Sequence, residues 1–184
     1  MAHHPDLRFR SVDASDAETI AALHADSWRR HYRGVFSDAF LDGDVETDRL
    51  RVWTERLGQL EAGTRTVLAE DDDGLVGFAH TVLNKDQCWG SLLDNLHVAH
   101  RHRRRGVGSR LLTLTAEAVV ERGTGLYLWV TEQNLDAQAF YQARGGSLVE
   151  RALNEAPGGL PSRLNGTPIK LRCVWSPRAL LTFL

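Results

Sequence analysis

The chain has 184 residues, with 22 Lys and Arg against 24 Asp and Glu and a formal net charge of −2. That length suits one domain whose core needs no disulfide or metal staple, and an apolar fraction of 42% excludes a disordered chain. The charge balance also excludes a protein whose whole surface grips nucleic acid.

The basic residues are unevenly spread. Twenty of the 22 are arginine, only Lys85 and Lys170 being lysine, and five arginines fall between Arg101 and Arg110. Cys88 and Cys173 lie far apart with no metal-type spacing and read as buried thiols in a reducing compartment. No apolar run approaches the ~18 residues of a membrane span. The start, Met1 to Asp6, lacks a basic region followed by an apolar core. A cytoplasmic protein with no signal peptide and no membrane partner is therefore expected.

In chain order, Leu7–Val12 alternates apolar and polar residues as a half-buried strand does. Asp13 or Ser15 then caps a helix with Ile20, Leu23, Ser27, Trp28 and His31 on one face, broken at Gly34. Ser37 begins a short helical piece. After Gly43 a longer helix carries Leu50, Trp53, Leu57 and Leu60 at spacings of three and four. Arg65–Glu70 and Leu75–Leu83 read as a hairpin turned by Asp71-Asp72-Asp73-Gly74, the acidic triplet forming a solvated tip.

Ser91–Val98 is a further strand, and a basic glycine loop leads into a helix over Ser109–Arg122. Gly125–Thr131 is nearly continuous apolar sequence, as a central strand covered on both faces requires. Asn134 is an N-cap for a helix reaching Arg144. Ser147–Leu153 and Ile169–Trp175 close the sheet, separated by the Gly- and Pro-rich loop from Asn154 to Pro168. The order β-α-α-β-β-β-α-β-α-β-β describes a single α/β (α+β) domain spanning residues 1–184. The apolar tail, Ala179 to Leu184, is suited to covering its own sheet or the sheet of a homodimer partner.

The loop Arg101-His102-Arg103-Arg104-Arg105-Gly106-Val107-Gly108-Ser109 ends a strand and opens a helix. Free N–H groups at the helix start, the helix dipole and forked arginines make an anion cradle suited to pyrophosphate. No glycine is followed by lysine, and Leu111 stands where a dinucleotide fingerprint needs its third Gly or Ala. His97, His100 and His102 suggest a metal cluster only superficially, because the arginines among them repel a cation; a solvated or phosphate-facing role suits them better, and no metal is expected. A nucleic-acid patch is the weaker reading of the arginine run, because of the adjacent Gly-x-Gly.

Arg103-x-x-Gly106-x-Gly108 resembles the [Gln/Arg]-x-x-Gly-x-[Gly/Ala] pyrophosphate loop of the GCN5-related N-acetyltransferases, and Asn134-x-x-Ala137-x-x-Phe140-Tyr141 resembles that family's later cofactor and catalytic segment. The resemblance spans about residues 91–149. It implies a mixed, mostly antiparallel central sheet flanked by helices, with two central strands that splay near the cofactor. It also implies acetyl-CoA as donor, direct ternary-complex transfer, and Tyr141 as general acid toward the CoA sulfur. Leu96, His97 and Val98 would pair by backbone with the pantetheine arm. Arg103, Arg104, Arg105, Gly106, Val107, Gly108 and Ser109 would hold the pyrophosphate, with Asn134 and Phe140 contributing further cofactor contacts.

Asp94 is the first candidate for the base, on the reading that it shares a face with Leu96; Glu70 and a water chain are the alternatives. Trp28, Tyr32 and Phe36 border the acceptor pocket in this scheme, and Trp129 stands where N-terminal acetylating relatives often carry glutamate. Gly145-Gly146 replaces the family's frequent Gly-Phe, weakening the usual aromatic anchor of the next strand. The acceptor is then a small-molecule primary amine or a protein N-terminus or lysine; a non-catalytic acyl-CoA sensor of the same fold is the different-class reading.

Overall fold

A computed structural model describes residues 7–59 and 62–183. Leu60, Leu184 and the segment from Met1 to Asp6 lie outside the described residues. The chain runs β1 (Arg8–Ser11), a 3₁₀ turn (Ala14–Asp16), α1 (Ala17–His31), α2 (Asp38–Asp42), α3 (Val45–Gly58), β2 (Thr64–Asp71), β3 (Gly74–Asp86) and β4 (Gly90–Val98). A 3₁₀ turn (His100–His102) leads to α4 (Val107–Val120), β5 (Leu126–Thr131), α5 (Leu135–Gln142), β6 (Ser147–Leu153), β7 (Ile169–Trp175) and α6 (Pro177–Phe183).

The seven strands form one sheet in the order β1-β2-β3-β4-β5-β7-β6. Every neighbour pair is antiparallel except β4 with β5. The mixed, mostly antiparallel sheet expected from the sequence is therefore present, with β7 inserted between β5 and the edge strand β6.

Helices cover both faces. On one, Leu111, Leu112, Ala116 and Val119 of α4 pack with Leu126, Leu128 and Val130 of β5 and with Tyr141 of α5. On the other, Ile20 and Ala21 of α1 meet Trp53 and Leu57 of α3 over Leu68 and Phe78. The tail resolves into α6, whose Leu180 is fully buried in the first of these clusters. It covers the chain's own core.

Two helix faces are rotated from the sequence reading. In α1 His24 is fully buried along with Ile20 and Ala25, and Leu23 is only partly covered. Burial of an imidazole there is made tolerable by Trp53, whose Nε1–H donates to His24 Nδ1 at 3.0 Å. In α3 the buried line runs Val45, Arg49, Trp53 and Leu57, leaving Leu50 42% exposed. Arg49 occupies a buried position because its guanidinium lies 4.1 Å over the Trp28 ring and pairs with Asp48. The N-cap is Asp13: its carboxylate accepts the Ser15 N–H at 2.8 Å, while Asp16 accepts the Asp13 N–H at 2.8 Å.

The acidic turn also departs from expectation. β2 extends through Asp71, which is buried, so the solvated tip shrinks to Asp72 and Asp73. At Gly146 a Cβ would meet Cys173 Sγ at 2.6 Å and Trp175 Cζ2 at 2.7 Å. Trp175 therefore fills the space an aromatic at 146 would claim. Its Nε1–H donates to the Arg144 carbonyl at 2.8 Å, and its ring meets Tyr141 edge-on at 5.9 Å. The anchor that seemed weakened comes from β7.

Burial holds several histidines neutral. It lowers His80 from the usual 6.5 to about 4 and His97 to about 3, and it pushes His24 well down. Unfolding lets each take up a proton below about 6.5, so stability is full above about pH 7 and falls as pH drops through 6.5 toward 4. Urea midpoints measured from pH 7.5 to 4.5 should decline accordingly, and His80→Gln should flatten the slope.

Candidate active site

The site begins where β4 and β5 part. These parallel strands pair only at Ser91↔Leu126 and Leu92↔Tyr127. At the closed end, a Cβ on Gly90 would lie 2.3 Å from the Gly125 carbonyl oxygen, so only glycine lets these two segments approach as they do. Beyond Leu92, β4 continues paired with β3 alone, and β5 with β7 alone. The facing edges carry backbone N–H and C=O groups with no strand partner among the described residues.

A β-bulge at Asp94 accompanies the parting: Leu93 opposes Thr81 and Asn95 opposes His80, leaving Asp94 as the extra residue. Such a bulge bends a strand and increases its twist. It also breaks the alternation on which the sequence reading relied. Leu93, Leu96 and Val98 pack toward α4. Asp94 and Asn95 turn instead toward α3, where Arg56 Nη2 donates to Asp94 Oδ2 at 2.7 Å and Arg56 Nη1 to Asn95 Oδ1 at 2.9 Å. Asp94 thus does not share Leu96's face, although it still lines the opening.

The opening is a cleft of about 700 Å³. Leu96, His97 and Val98 form one side, Leu128, Trp129 and Val130 the other. At one end the arginine loop turns through Arg104, with φ +60°, and Gly106, with φ +83°, into α4. The first backbone bond of α4 runs from the Arg110 N–H to the Gly106 carbonyl at 3.0 Å. The N–H groups of Val107, Gly108 and Ser109 therefore precede the helical ladder.

Arg103, Arg104, Gly106, Gly108 and Ser109 all line the cleft. Arg105 is exposed and does not line it, and the Val107 side chain is buried in the core, leaving only its backbone to serve the loop. Arg103 makes an exposed pair with Asp136 at 3.1 Å, an interaction worth little in water.

From α5, Phe140 and Tyr141 both reach the cleft. Tyr141 is only 8% exposed, and burial raises its phenol pKa above the ordinary range. Arg144 is the residue whose place here the sequence did not reveal. Its guanidinium lies 3.9 Å over the Phe140 ring, donates to the Phe140 carbonyl at 3.0 Å and bonds Ser109 Oγ at the start of α4. Its only sequence signal is the four-residue step from Phe140, which reads as packing. Asn134 Oδ1 accepts the Ala137 N–H at 3.1 Å, so the expected cap is made and the amide nitrogen is left for the cleft.

Of the three aromatic residues placed beside the acceptor pocket, Tyr32 alone lines the cleft. Trp28 and Phe36 are buried behind it, with Phe36 stacked on Tyr32 at 5.0 Å and Trp28 at 5.5 Å. Burial and the nearby Asp94 charge push the Tyr32 phenol up to about 12. Glu70 lies outside the cleft, bonded to Arg10 at 2.7 Å. The histidines diverge: His97 Nδ1 is 2.7 Å from Ser27 Oγ, whereas His102 Nε2 is 2.8 Å from Asp71 Oδ2. His102 is thus a buried, paired residue and not a solvated one.

Residues 21–146 match the acetyltransferase (GNAT) family, a stretch that includes the loop, the cleft strands and Tyr141. The chain belongs to the GNAT acetyltransferase family. It is 34% identical over 157 residues to a streptothricin acetyltransferase of Streptomyces lavendulae, covering 77% of this chain and 81% of that protein. A probable N-acetyltransferase of Mycobacterium tuberculosis is 26% identical over 156 residues, 83% and 86% of the respective chains. The crystal structure of a PaiA N-acetyltransferase from Thermoplasma acidophilum in complex with coenzyme A shares the fold with a TM-score of 0.69. That match has 18% identity and covers 91% of this chain and 98% of that one. No helix among the described residues is long and apolar enough to cross a membrane.

In this GNAT acetyltransferase the cap on α5 carries Tyr141 and Arg144 into place. Asn134→Ala should cost about 1 kcal/mol of stability, read as a lower urea midpoint with an unchanged m-value.

Proposed function

We propose that the chain transfers an acetyl group from acetyl-CoA to a primary amine of a small molecule, with both substrates bound together in the cleft. The observation that carries this reading is the β4–β5 parting. It opens unpartnered backbone groups along one line, with the start of α4 and its arginines at one end. An extended pantetheine arm can pair with the edges at Leu96, His97 and Val98, while Arg103, Arg104 and the N–H groups of residues 107–109 face the pyrophosphate. The 34% identical relative named for a small-molecule acceptor, streptothricin, supports that acceptor class.

Acetyl transfer needs a neutral nucleophile. At pH 7 an amine of pKa ~10.4 is neutral in only about one molecule per few thousand. Asp94, on the Tyr32 side of the cleft, attracts the ammonium form and takes its proton directly or through water. The freed nitrogen attacks the thioester carbonyl, whose developing negative charge is met by backbone N–H groups of β4. The C–S bond then breaks as Tyr141 gives its phenolic proton to sulfur. Amine and acetyl-CoA become amide and free CoA thiol. Nitrogen loses two protons in all: one goes to Asp94 before attack and from there to solvent, and the second, shed as the tetrahedral adduct collapses to the amide, returns through water to Tyr141 and so balances the proton that sulfur gained.

An amine and peptide screen reading thiol release tests the acceptor class; release with streptothricin or another small amine, and none with peptides, is expected. On the best acceptor, Tyr141→Phe should lower kcat about 100-fold with the KM for acetyl-CoA within about threefold. An unchanged kcat at all pH values would remove Tyr141 from the chemistry. Because burial raises the phenol pKa, the acid form persists through pH 10, and no loss of rate from Tyr141 ionisation should appear below that pH.

A further inference from the structure

Two sequence features to which the proposed acetyl transfer gives no chemical role meet each other: the acidic turn and His102 of the arginine loop. Asp71 Oδ2 is 2.8 Å from His102 Nε2, with the residues 4% and 5% exposed. Asp71 is itself held from two sides. Its Oδ1 accepts the Asp73 N–H at 3.0 Å, and Arg8 of β1 donates to its backbone carbonyl at 3.3 Å while pairing with Asp72 at 3.1 Å. His102 Nδ1 is enclosed with no partner, so the bond to Asp71 is the ring's one polar attachment among the described residues.

What this attachment controls follows from the loop. Ala99 N–H donates to the Val76 carbonyl at 2.8 Å and fixes where the loop leaves β4. The next backbone bond after the Arg103 N–H, which reaches His100, is the first of α4, from Arg110 to Gly106. Between them Arg104 adopts φ +60°, a left-handed conformation that a non-glycine residue keeps only where its surroundings enforce it. The side-chain anchor closest to Arg104 in sequence on its N-terminal side, apart from the exposed Arg103–Asp136 pair, is His102. A hydrogen bond enclosed between two buried side chains holds both in one geometry, because breaking it leaves polar groups without partners.

We infer that Asp71 and His102 are positioning residues: their bond clamps the arginine loop to the β2–β3 turn and holds it in the shape that receives the pyrophosphate of CoA. The inference rests on the reading of residues 103–109 as the pyrophosphate cradle. Asp71 lies off the cleft lining, and His102, though part of that lining, has its one bonded ring nitrogen on Asp71. The clamp acts through the backbone of Arg103–Gly106, presenting it ready-formed, so that binding does not have to order it.

Calorimetric titration with CoA alone, without any amine, tests this. Asp71→Leu and His102→Phe each fill the volume of the side chain they replace with no polar bond. Each should weaken the CoA Kd about tenfold or more, and the double variant no more than the worse single one. Trypsin should cut faster at Arg103–Arg105 in both, while kcat at saturating acetyl-CoA and the KM for the amine stay near wild type. Rescue of affinity by Asp71→Glu would support the clamp further. A CoA Kd within twofold of wild type in both folded single variants overturns it. The amides of His102 and Arg103, which donate to the Ala99 and His100 carbonyls at 2.8 and 3.3 Å, should exchange more slowly in the wild-type chain than in either variant; equal exchange overturns the clamp. A wild-type chain that binds no CoA instead overturns the cradle reading on which the clamp rests.

Discussion

β4 and β5 hold each other at two residue pairs and then separate, and most of the site is a consequence of that short grip. A sheet normally spends its backbone hydrogen bonds on neighbouring strands, and leaving them unspent in an enclosed place is costly. Here the cost is confined to one line between two strands that are each paired on their other side, β4 with β3 apart from its bulge and β5 with β7 along its whole length. The separation can persist because everything around it is fixed: Gly90 against Gly125 at the closed end, a bulge at Asp94 on one arm, and the packed α4 beneath. The cleft is therefore part of the sheet's own geometry and not a gap between loops.

The two walls differ in character. On the α5 side, Phe140 and Tyr141 form an aromatic wall, tied to the start of α4 through Arg144 and Ser109. On the α1 side stand Tyr32, His97 with Ser27, and Asp94 with Arg56. One wall suits proton delivery from a buried phenol; the other offers polar groups to an incoming cation. In the proposed transfer the first wall would serve the departing sulfur and the second the acceptor.

Much of this was legible in the sequence, and the reasons differ by residue. The arginine loop is local: strand, glycines and helix start are contiguous, so a short motif carries its whole meaning. The same holds for Asn134, whose cap reaches only to Ala137. The faces of β4 were misread because a bulge has no signature in an alternating pattern; Leu93, Asp94, Asn95 and Leu96 look alike whether or not one residue is extra. His24 and Arg49 were left off the expected helix faces because their burial is permitted by Trp53 and Trp28, partners that only the folded chain brings near. Asp71 was read as solvated because its partner, His102, lies on the far side of two strands in sequence.

Gly146 and Trp175 show how far such distant dependence extends. The two residues share one volume, since a side chain at 146 would enter the space occupied by the indole. In this chain an aromatic at 146 would need something small at 175, and neither can change alone without a clash or a hole. The α5–β6 junction and β7 are thus a matched set. Any chimera that joins this α5 to another member's closing strands has to carry the tryptophan along with the glycine.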